Sequence, residues 1–101
     1  MTLQKMSPPE VALQMQTLQD WSYDENSGSV TRKFVLLDFV RAFDFMKQIA
    51  IAAEKYDHHP EWRNVYNKVT ITWTTHDVKG MSHKDIDMAH ICDQIYSNFM
   101  S

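Results

Sequence analysis

The hydrophobic period of this chain changes at Asp38, from about two residues before it to about 3.6 residues after it. Residues 29–37 are rich in strand-forming side chains, and the turn signal Asn26-Ser27-Gly28 stands directly before them. Residues 21–25 also alternate, so the two segments predict a β-hairpin. A hairpin that leads into a long helix indicates a fold that mixes strands and helices.

The predicted helix after Asp38 is apolar on more than one side. Its main apolar stripe consists of Phe39, Phe43, Met46, Ala50 and Ala53. Other apolar side chains widen this surface, so residues 39–53 need more than one neighbour to bury them. A partner subunit or another helix of the same chain can supply that cover, and the sequence leaves both possibilities open. The helix is predicted to end near His58-His59, because Pro60 disfavours helical geometry at the residue before it.

Two further helices have start signals. Ser7-Pro8-Pro9-Glu10 combines an N-cap residue, a proline suited to the first turn and a glutamate three residues after the cap. It predicts a first helix that runs to about Gln19. Ser82 and Asp85 have the spacing of a second capping box and predict the start of the last helix.

A clean alternation predicts a strand from Lys68 to Asp77, with Val69, Ile71 and Trp73 on its buried side. Residues 64–66 are predicted to form a short edge strand before it. His76 lies at the end of the longer strand on its polar side, where the following loop can present it to a ligand.

Length and charge limit the class of protein. With 101 residues and 11.9 kDa, residues 1–101 are predicted to form one domain with a single core. A net charge of −3 argues against a binder of nucleic acid, which favours a basic surface. No apolar run is long enough to cross a membrane, and Met1–Met6 lacks signal-peptide character, so we expect a soluble intracellular domain. The single cysteine, Cys92, is predicted to be a buried core residue.

The polar residues best suited to catalysis lie between Glu54 and Asp85, a stretch that holds four of the five histidines. Glu54 and His58 are four residues apart and share a helical face. Asp57 and His59 flank His58, so two imidazoles and two carboxylates lie within about one helical turn.

Histidines beside carboxylates suit proton transfer, because an unperturbed imidazole has a pKa of about 6.5 and acts as acid or base near neutral pH. Taken singly, His59 also fits a turn residue, His76 a surface residue and Asp85 a helix cap. His83 and His90 are interpreted as surface or packing residues. Zinc is the competing interpretation, since three histidines suffice for a catalytic site. Adjacent histidines lack the usual spacing of four, however, and we predict no metal.

The motif in this stretch resembles a known family. Glu54-x-x-x-His58-His59-Pro60-x-Trp62-x-Asn64-Val65-Tyr66, followed by Thr74-Thr75-His76-Asp77 and Ser82-x-x-Asp85, closely resembles pterin-4a-carbinolamine dehydratase. The resemblance spans nearly the whole chain. It implies an α+β fold in which three helices pack on one face of a four-stranded antiparallel sheet, in the order α-β-β-α-β-β-α. One departure is Lys79-Gly80, where the family often has two glycines, and it affects the shape of that loop.

The resemblance also implies a reaction and a set of site residues. The family dehydrates 4a-hydroxytetrahydrobiopterin to quinonoid dihydropterin, recycles the cofactor of aromatic amino acid hydroxylases, and needs no metal or organic cofactor. The implied catalytic residues are His58, His59, His76 and Asp85. The implied substrate-binding residues are Glu54, Asp57, His58, His59, Pro60, Trp62, Thr75, His76, Asp77 and Val78. Which histidine is the acid and which is the base stays open.

Partners follow from the resemblance as well. Family members are commonly homotetramers built as dimers of dimers, which would cover the apolar surface of residues 39–53. Animal relatives also act as a dimerization cofactor of a hepatocyte homeodomain transcription factor, so residues 39–53 could instead bind a partner helix. The implied location is cytoplasmic, with a nuclear location also open, and neither direct nucleic-acid binding nor a membrane is expected.

Overall fold

The helices begin where the sequence has its capping signals. The computed structural model describes residues 3–100; Met1, Thr2 and Ser101 lie outside it, so the predicted domain 1–101 and the Met1–Met6 segment are covered only in part. Within the described range the α-helices are α1 (Pro8–Met15), α2 (Phe39–Lys55) and α3 (His83–Met100). Ser7 and Glu10 form both halves of the predicted capping box. Asp38 caps α2 by accepting a 2.9 Å hydrogen bond from the Arg41 N–H.

The strands form one antiparallel sheet. Their bounds are β1 (Ser22–Asp24), β2 (Ser29–Val35), β3 (Glu61–Val65) and β4 (Lys68–Trp73), and within residues 3–100 their order across the sheet is β1-β2-β4-β3. β1 and β2 form the predicted hairpin. The order of elements along the chain is α-β-β-α-β-β-α, which confirms the α+β fold.

The core lies between the helices and one face of the sheet. Val69, Ile71 and Trp73 are fully buried on β4, as the alternation predicts. β2 adds Val30 and Phe34 to the same layer. The helices cover this layer with Val11 from α1, Phe45 and Ile49 from α2, and Ala89 and Cys92 from α3. The opposite face of β2, β3 and β4 carries mostly polar side chains.

Two elements end earlier than the sequence predicts. α1 ends at Met15 rather than about Gln19, because the N–H groups of Thr17 and Leu18 bond to carbonyls three residues back instead of four. This tighter turn buries Leu18. β2 ends at Val35 rather than at residue 37, because Leu36 turns aside to exchange hydrogen bonds with Asn67.

The second hairpin also differs in its bounds. The edge strand β3 covers Glu61–Val65 rather than residues 64–66, and it pairs along its whole length with β4. β4 ends at Trp73 instead of continuing to Asp77. After Trp73 the chain leaves the sheet, and Thr75 forms an isolated bridge with Gly80. His76 therefore lies beyond the strand that was predicted to hold it.

The apolar stripe that the sequence predicts to be buried on α2 is wrong, because the buried stripe is rotated around the helix. The buried stripe consists of Ala42, Phe45, Ile49 and Ala53. Phe39 and Phe43 of the predicted stripe are 49% and 58% exposed. α2 carries two apolar faces, and only its contact with α3 and the sheet selects the buried one. Cover from within the chain is therefore partial, since Val40 and Ile51 also stay 58% and 63% exposed.

Candidate active site

The end of α2 delivers the double histidine. α2 ends at Lys55 rather than near His58-His59, because Asp57 adopts the left-handed conformation with a φ of 51°. The His58 N–H reaches back to the Ala53 carbonyl at 3.0 Å, and the Asp57 N–H reaches the Glu54 carbonyl at 3.4 Å. These two bonds are the Schellman arrangement, in which a left-handed residue stops the helix. His58 and His59 thereby leave the helix in an extended segment.

A short loop after β4 delivers the third histidine. Thr75 and Gly80 pair through backbone hydrogen bonds of 2.9 and 3.4 Å, and residues His76–Val78 between them form one 3₁₀ turn. Lys79 closes the turn in the left-handed region with a φ of 56°, a conformation that glycine adopts more easily. Gly80 packs against the β1–β2 turn, where a Cβ on Gly28 would lie 2.6 Å from the Gly80 Cα.

The two segments border one polar cavity of about 290 Å³. Its lining residues are Leu3, Asp57, His58, His59, Thr74, Thr75, His76, Asp77 and Lys84. The structure therefore brings the three predicted histidines together with both neighbouring aspartates. A more apolar cavity of about 340 Å³ lies on the other side of His58, and the two cavities share His58 and Lys84.

The remaining predicted site residues lie around this cavity rather than in its lining. Glu54 contacts it through His59, and Asp85 lies behind His58. Trp62 is on the core-facing side of β3, opposite Ile71 of β4. Pro60 joins the histidine segment to β3, and Val78 ends the 3₁₀ turn.

Each of the three histidines bonds to its own carboxylate through Nε2. The distances are 2.6 Å from His58 to Asp85, 2.5 Å from His59 to Glu54 and 3.0 Å from His76 to Glu61. The first pair is enclosed, whereas the His59 and His76 side chains are 58% and 81% exposed. A carboxylate acceptor at Nε2 favours a proton on that nitrogen and leaves Nδ1 free to accept one.

The buried Asp85 carboxylate accepts three hydrogen bonds. Oδ1 accepts from His58, and Oδ2 accepts from the Thr75 hydroxyl at 2.6 Å and the Ser82 N–H at 2.9 Å. The Ser82 hydroxyl donates in turn to Thr75 Oγ1 at 2.6 Å. The predicted Ser82–Asp85 capping box is therefore half formed, because the Ser82 hydroxyl bonds to Thr75 instead of to the backbone of α3.

Some residues of the site could not be found from the sequence. Glu61 pairs with His76 from β3, and Lys84 lines the cavity from the first turn of α3. Neither has a spacing signal that links it to the histidines. Trp73, which the alternation places in the core, also stacks on His58 with ring centroids 5.5 Å apart.

The Nε2 atoms of the three histidines do not converge on a common point. Each histidine directs Nε2 to a different carboxylate, and within residues 3–100 no group of three or more His, Cys, Asp or Glu side chains has the arrangement of a metal site. His90 does not line the polar cavity; it is exposed and borders the more apolar one, with Nε2 3.1 Å from the Thr17 hydroxyl, which agrees with its interpretation as a surface or packing residue.

The histidine-lined cavity and the fold agree with the family that the sequence motif indicates. The family model described as "Pterin 4 alpha carbinolamine dehydratase" matches residues 4–95. The chain belongs to this family. A Rhizorhabdus wittichii protein provisionally named pterin-4-alpha-carbinolamine dehydratase is 43% identical over 94% of this chain and 98% of its own length. A Rhodopseudomonas palustris protein with the same provisional name is 47% identical over 80% of each chain.

A solved structure shares the fold of this family member. The crystal structure of a transcriptional coactivator/pterin dehydratase from Brucella melitensis has a TM-score of 0.88 and 39% identity, and the match covers 91% of this chain and 98% of that one. These relatives are bacterial proteins, so a nuclear location finds no support among them. No helix within residues 3–100 has the length and apolar character that crossing a bilayer requires.

Proposed function

We propose that this chain is a 4a-hydroxytetrahydrobiopterin dehydratase that eliminates water from the 4a-carbinolamine and yields quinonoid dihydropterin. The observation that carries the proposal is the cavity of about 290 Å³ where imidazoles from two chain segments meet. Membership of the dehydratase family supplies the reaction class, and the names of the bacterial relatives agree with it.

The reaction needs two proton transfers and no redox step. The bond between C4a and the hydroxyl oxygen breaks, and a general acid protonates the hydroxyl so that it leaves as water. A general base removes the proton of a ring N–H, and the electron pair left behind forms the new carbon–nitrogen double bond. Imidazoles suit both roles near neutral pH, because they exchange protons readily there.

We assign the two proton transfers to His59 and His76. Both line the cavity and both are more than half exposed, so each can return its proton to water after a turnover. Their partners Glu54 and Glu61 hold Nε2, which leaves Nδ1 of each ring for the substrate. Either imidazole can act as the acid while the other acts as the base.

His58 and Asp85 have different places in the proposed mechanism. His58 lines the cavity, although its side chain is only 11% exposed, and we assign it to the face of the bound pterin. Asp85 is 0% exposed and does not reach the cavity, so the catalytic role predicted for it is exerted through His58.

The other predicted binding residues supply hydrogen bonds and shape. Asp57 and Asp77 present carboxylate oxygens at the cavity, which suit the amino and ring N–H groups of a pterin. Thr75 precedes His76 in the chain, and its own hydroxyl donates a hydrogen bond to Asp85. Pro60, Trp62 and Val78 lie outside the lining, and we assign them to holding the two segments in place.

We extend the proposal to the assembly that covers α2. Its exposed face carries Phe39, Val40, Phe43 and Ile51, each about half exposed or more. Such a patch is typical of an interface, and we propose a homotetramer formed as a dimer of dimers through it. A helix of another protein could bind the same face, but charge and contacts offer no feature that favours it. We propose a cytoplasmic role in tetrahydrobiopterin recycling, without metal or organic cofactor.

Stopped-flow absorbance tests the dehydratase proposal directly. 4a-Hydroxytetrahydropterin is generated freshly and its decay is followed with and without the purified protein, each with and without a chelator. Faster decay with the protein, unchanged by the chelator, is the expected result. Decay at the background rate would contradict the proposal, and acceleration that the chelator abolishes would contradict the metal-free mechanism.

A further inference from the structure

Trp73 is a core residue of β4, and its indole ring also contacts a histidine of the candidate site. It is the last residue of β4, and its side chain is 0% exposed. Its indole stacks on the His58 imidazole with the ring planes 17° apart and the centroids separated by 5.5 Å. This spacing and angle are those of an offset aromatic stack.

His58 is thereby held on two sides. Asp85 fixes the edge of the ring at Nε2, which selects the tautomer, and Trp73 covers one face, which restricts rotation of the ring about its own axis. His59 and His76 each have a carboxylate, but within residues 3–100 neither has a stacked aromatic ring. The most enclosed imidazole of the cavity is also the one with a fixed orientation.

The indole of Trp73 does more than fill space. Its Nε1–H is buried and makes no hydrogen bond within the described residues, although the Cys92 thiol is its neighbour. A phenylalanine or leucine would bury apolar surface at this position without leaving a donor unpaired. What the indole adds is a broad face rich in π electrons, which attracts an imidazole ring and binds its protonated form best among the aromatic side chains.

We propose that Trp73 is a positioning residue for His58 in the dehydration reaction. Trp73 does not itself line the cavity and contacts it only through His58, and it acts by keeping the imidazole plane fixed while Asp85 keeps the tautomer. The expected effect of Trp73 on the reaction rate rests on the proposed function. The expected effect on the orientation of His58 does not depend on that function.

The test compares Trp73→Phe and Trp73→Leu with Trp21→Leu. Trp21 is a second core tryptophan, 4% exposed, whose ring contact is with Phe34 and not with a histidine. Trp73→Leu is expected to lower kcat by about ten- to a hundredfold with KM within about twofold of the wild-type value. A displaced His58 ring would shift the bound pterin relative to His59 and His76, and such a misalignment mainly affects the chemical step. Trp73→Phe should restore much of the loss, and Trp21→Leu should leave kcat within about twofold.

NMR of the histidine rings provides a readout independent of turnover. The ring current of a stacked indole should shift the carbon-bound ring protons of His58 upfield, and Trp73→Leu should remove that shift, with Trp73→Phe in between. Nitrogen shifts should place the His58 proton on Nε2 in the wild-type protein. Should Trp73→Leu not fold, the wild-type spectrum and the Trp73→Phe variant still decide the matter.

The outcomes separate the two proposals. A wild-type protein that is active while Trp73→Leu keeps its full kcat, or loses no more than Trp21→Leu, overturns the positioning role and leaves the dehydratase proposal standing. A wild-type protein without activity contradicts the proposed function and the effect on the rate, and the NMR signature then decides whether Trp73 holds His58 in a stacked orientation. Absence of the upfield shift in the wild-type protein overturns the inference in either case.

Discussion

The fully buried carboxylate of Asp85 lies 2.6 Å from Nε2 of His58, so the end of α2 is tied to the first turn of α3 through the site. Both elements and the segment after β4 contribute to this connection, because the Thr75 hydroxyl bonds to the same carboxylate. A buried charge is stable only when its lone pairs are satisfied, and here His58, Thr75 and Ser82 satisfy them. The geometry of the site and the stability of the fold therefore depend on one side chain.

Asp85→Asn tests this dependence at constant side-chain size. The amide oxygen can still accept from Thr75 and Ser82, but its N–H groups then face Nε2 of His58, which must give up its proton. In the opposite orientation the Thr75 and Ser82 donors lose their acceptor. We expect the free energy of unfolding to fall by about 1–3 kcal/mol, the cost of a buried unsatisfied polar group. Urea unfolding at neutral pH measures it.

Asp87→Asn is the matched control, since Asp87 lies two residues away on α3 and is exposed. This substitution should change the free energy of unfolding by no more than about 0.5 kcal/mol. Equal effects of the two substitutions would contradict the structural role of Asp85.

The buried thiol of Cys92 should make the folded protein less stable at alkaline pH. Burial raises the pKa of its thiol from the ordinary value of 9.0 to about 12, although the neighbouring Trp73 indole opposes the rise. The folded protein therefore holds the thiol proton more tightly than the unfolded chain. The stability linked to this group is complete below pH 9 and is lost as the pH rises from 9 towards 12, by up to about 1.4 kcal/mol per pH unit.

Urea unfolding of the wild type and of Cys92→Ala at pH 8, 9.5 and 10.5 isolates this contribution. All other ionisable groups are the same in the two proteins, so the difference between the two slopes reports Cys92. The wild type should lose stability more steeply above pH 9. Parallel slopes, or rapid reaction of native Cys92 with a thiol reagent at pH 8, would contradict its burial.

Phe43→Asp tests the assembly proposed for α2. Phe43 is 58% exposed and lies within the apolar face, so a charge there should disfavour burial against another subunit. Sedimentation velocity at micromolar concentration should show a tetramer for the wild type and a smaller species for the variant. Leu13→Asp is the control, because Leu13 is similarly exposed, at 62%, but lies on α1. A monomeric wild type would contradict the assembly.

Periodicity predicted the elements of this fold but not their ends. Alternation placed Val69, Ile71 and Trp73 in the core correctly, because only one face of β4 is buried. The end of α2 depends on Asp57, which adopts the left-handed conformation. Aspartate tolerates this conformation, but an aspartate in a sequence does not predict it. The buried stripe of α2 was out of phase because this helix is apolar on two faces, and the choice between them is made by tertiary contacts.

The sequence grouped the three histidines of the candidate site, but it did not predict which side chains they contact. His58, His59 and His76 line the cavity together, as the motif indicated. The Glu61 partner of His76 depends on the register of β3 against β4, which no local pattern in the sequence defines. The stacking of Trp73 on His58 likewise required the path of the chain after α2.

The central claim is that His59 and His76 carry the proton transfers of a pterin dehydration. Stopped-flow decay of 4a-hydroxytetrahydropterin with the wild type and with the double variant His59→Ala/His76→Ala tests it most directly. Loss of one acid or base group costs about a hundred- to ten-thousandfold, so damage to both routes should bring the rate close to the uncatalysed one, with circular dichroism showing that the variant is folded. Wild-type acceleration retained by the folded double variant would contradict the account.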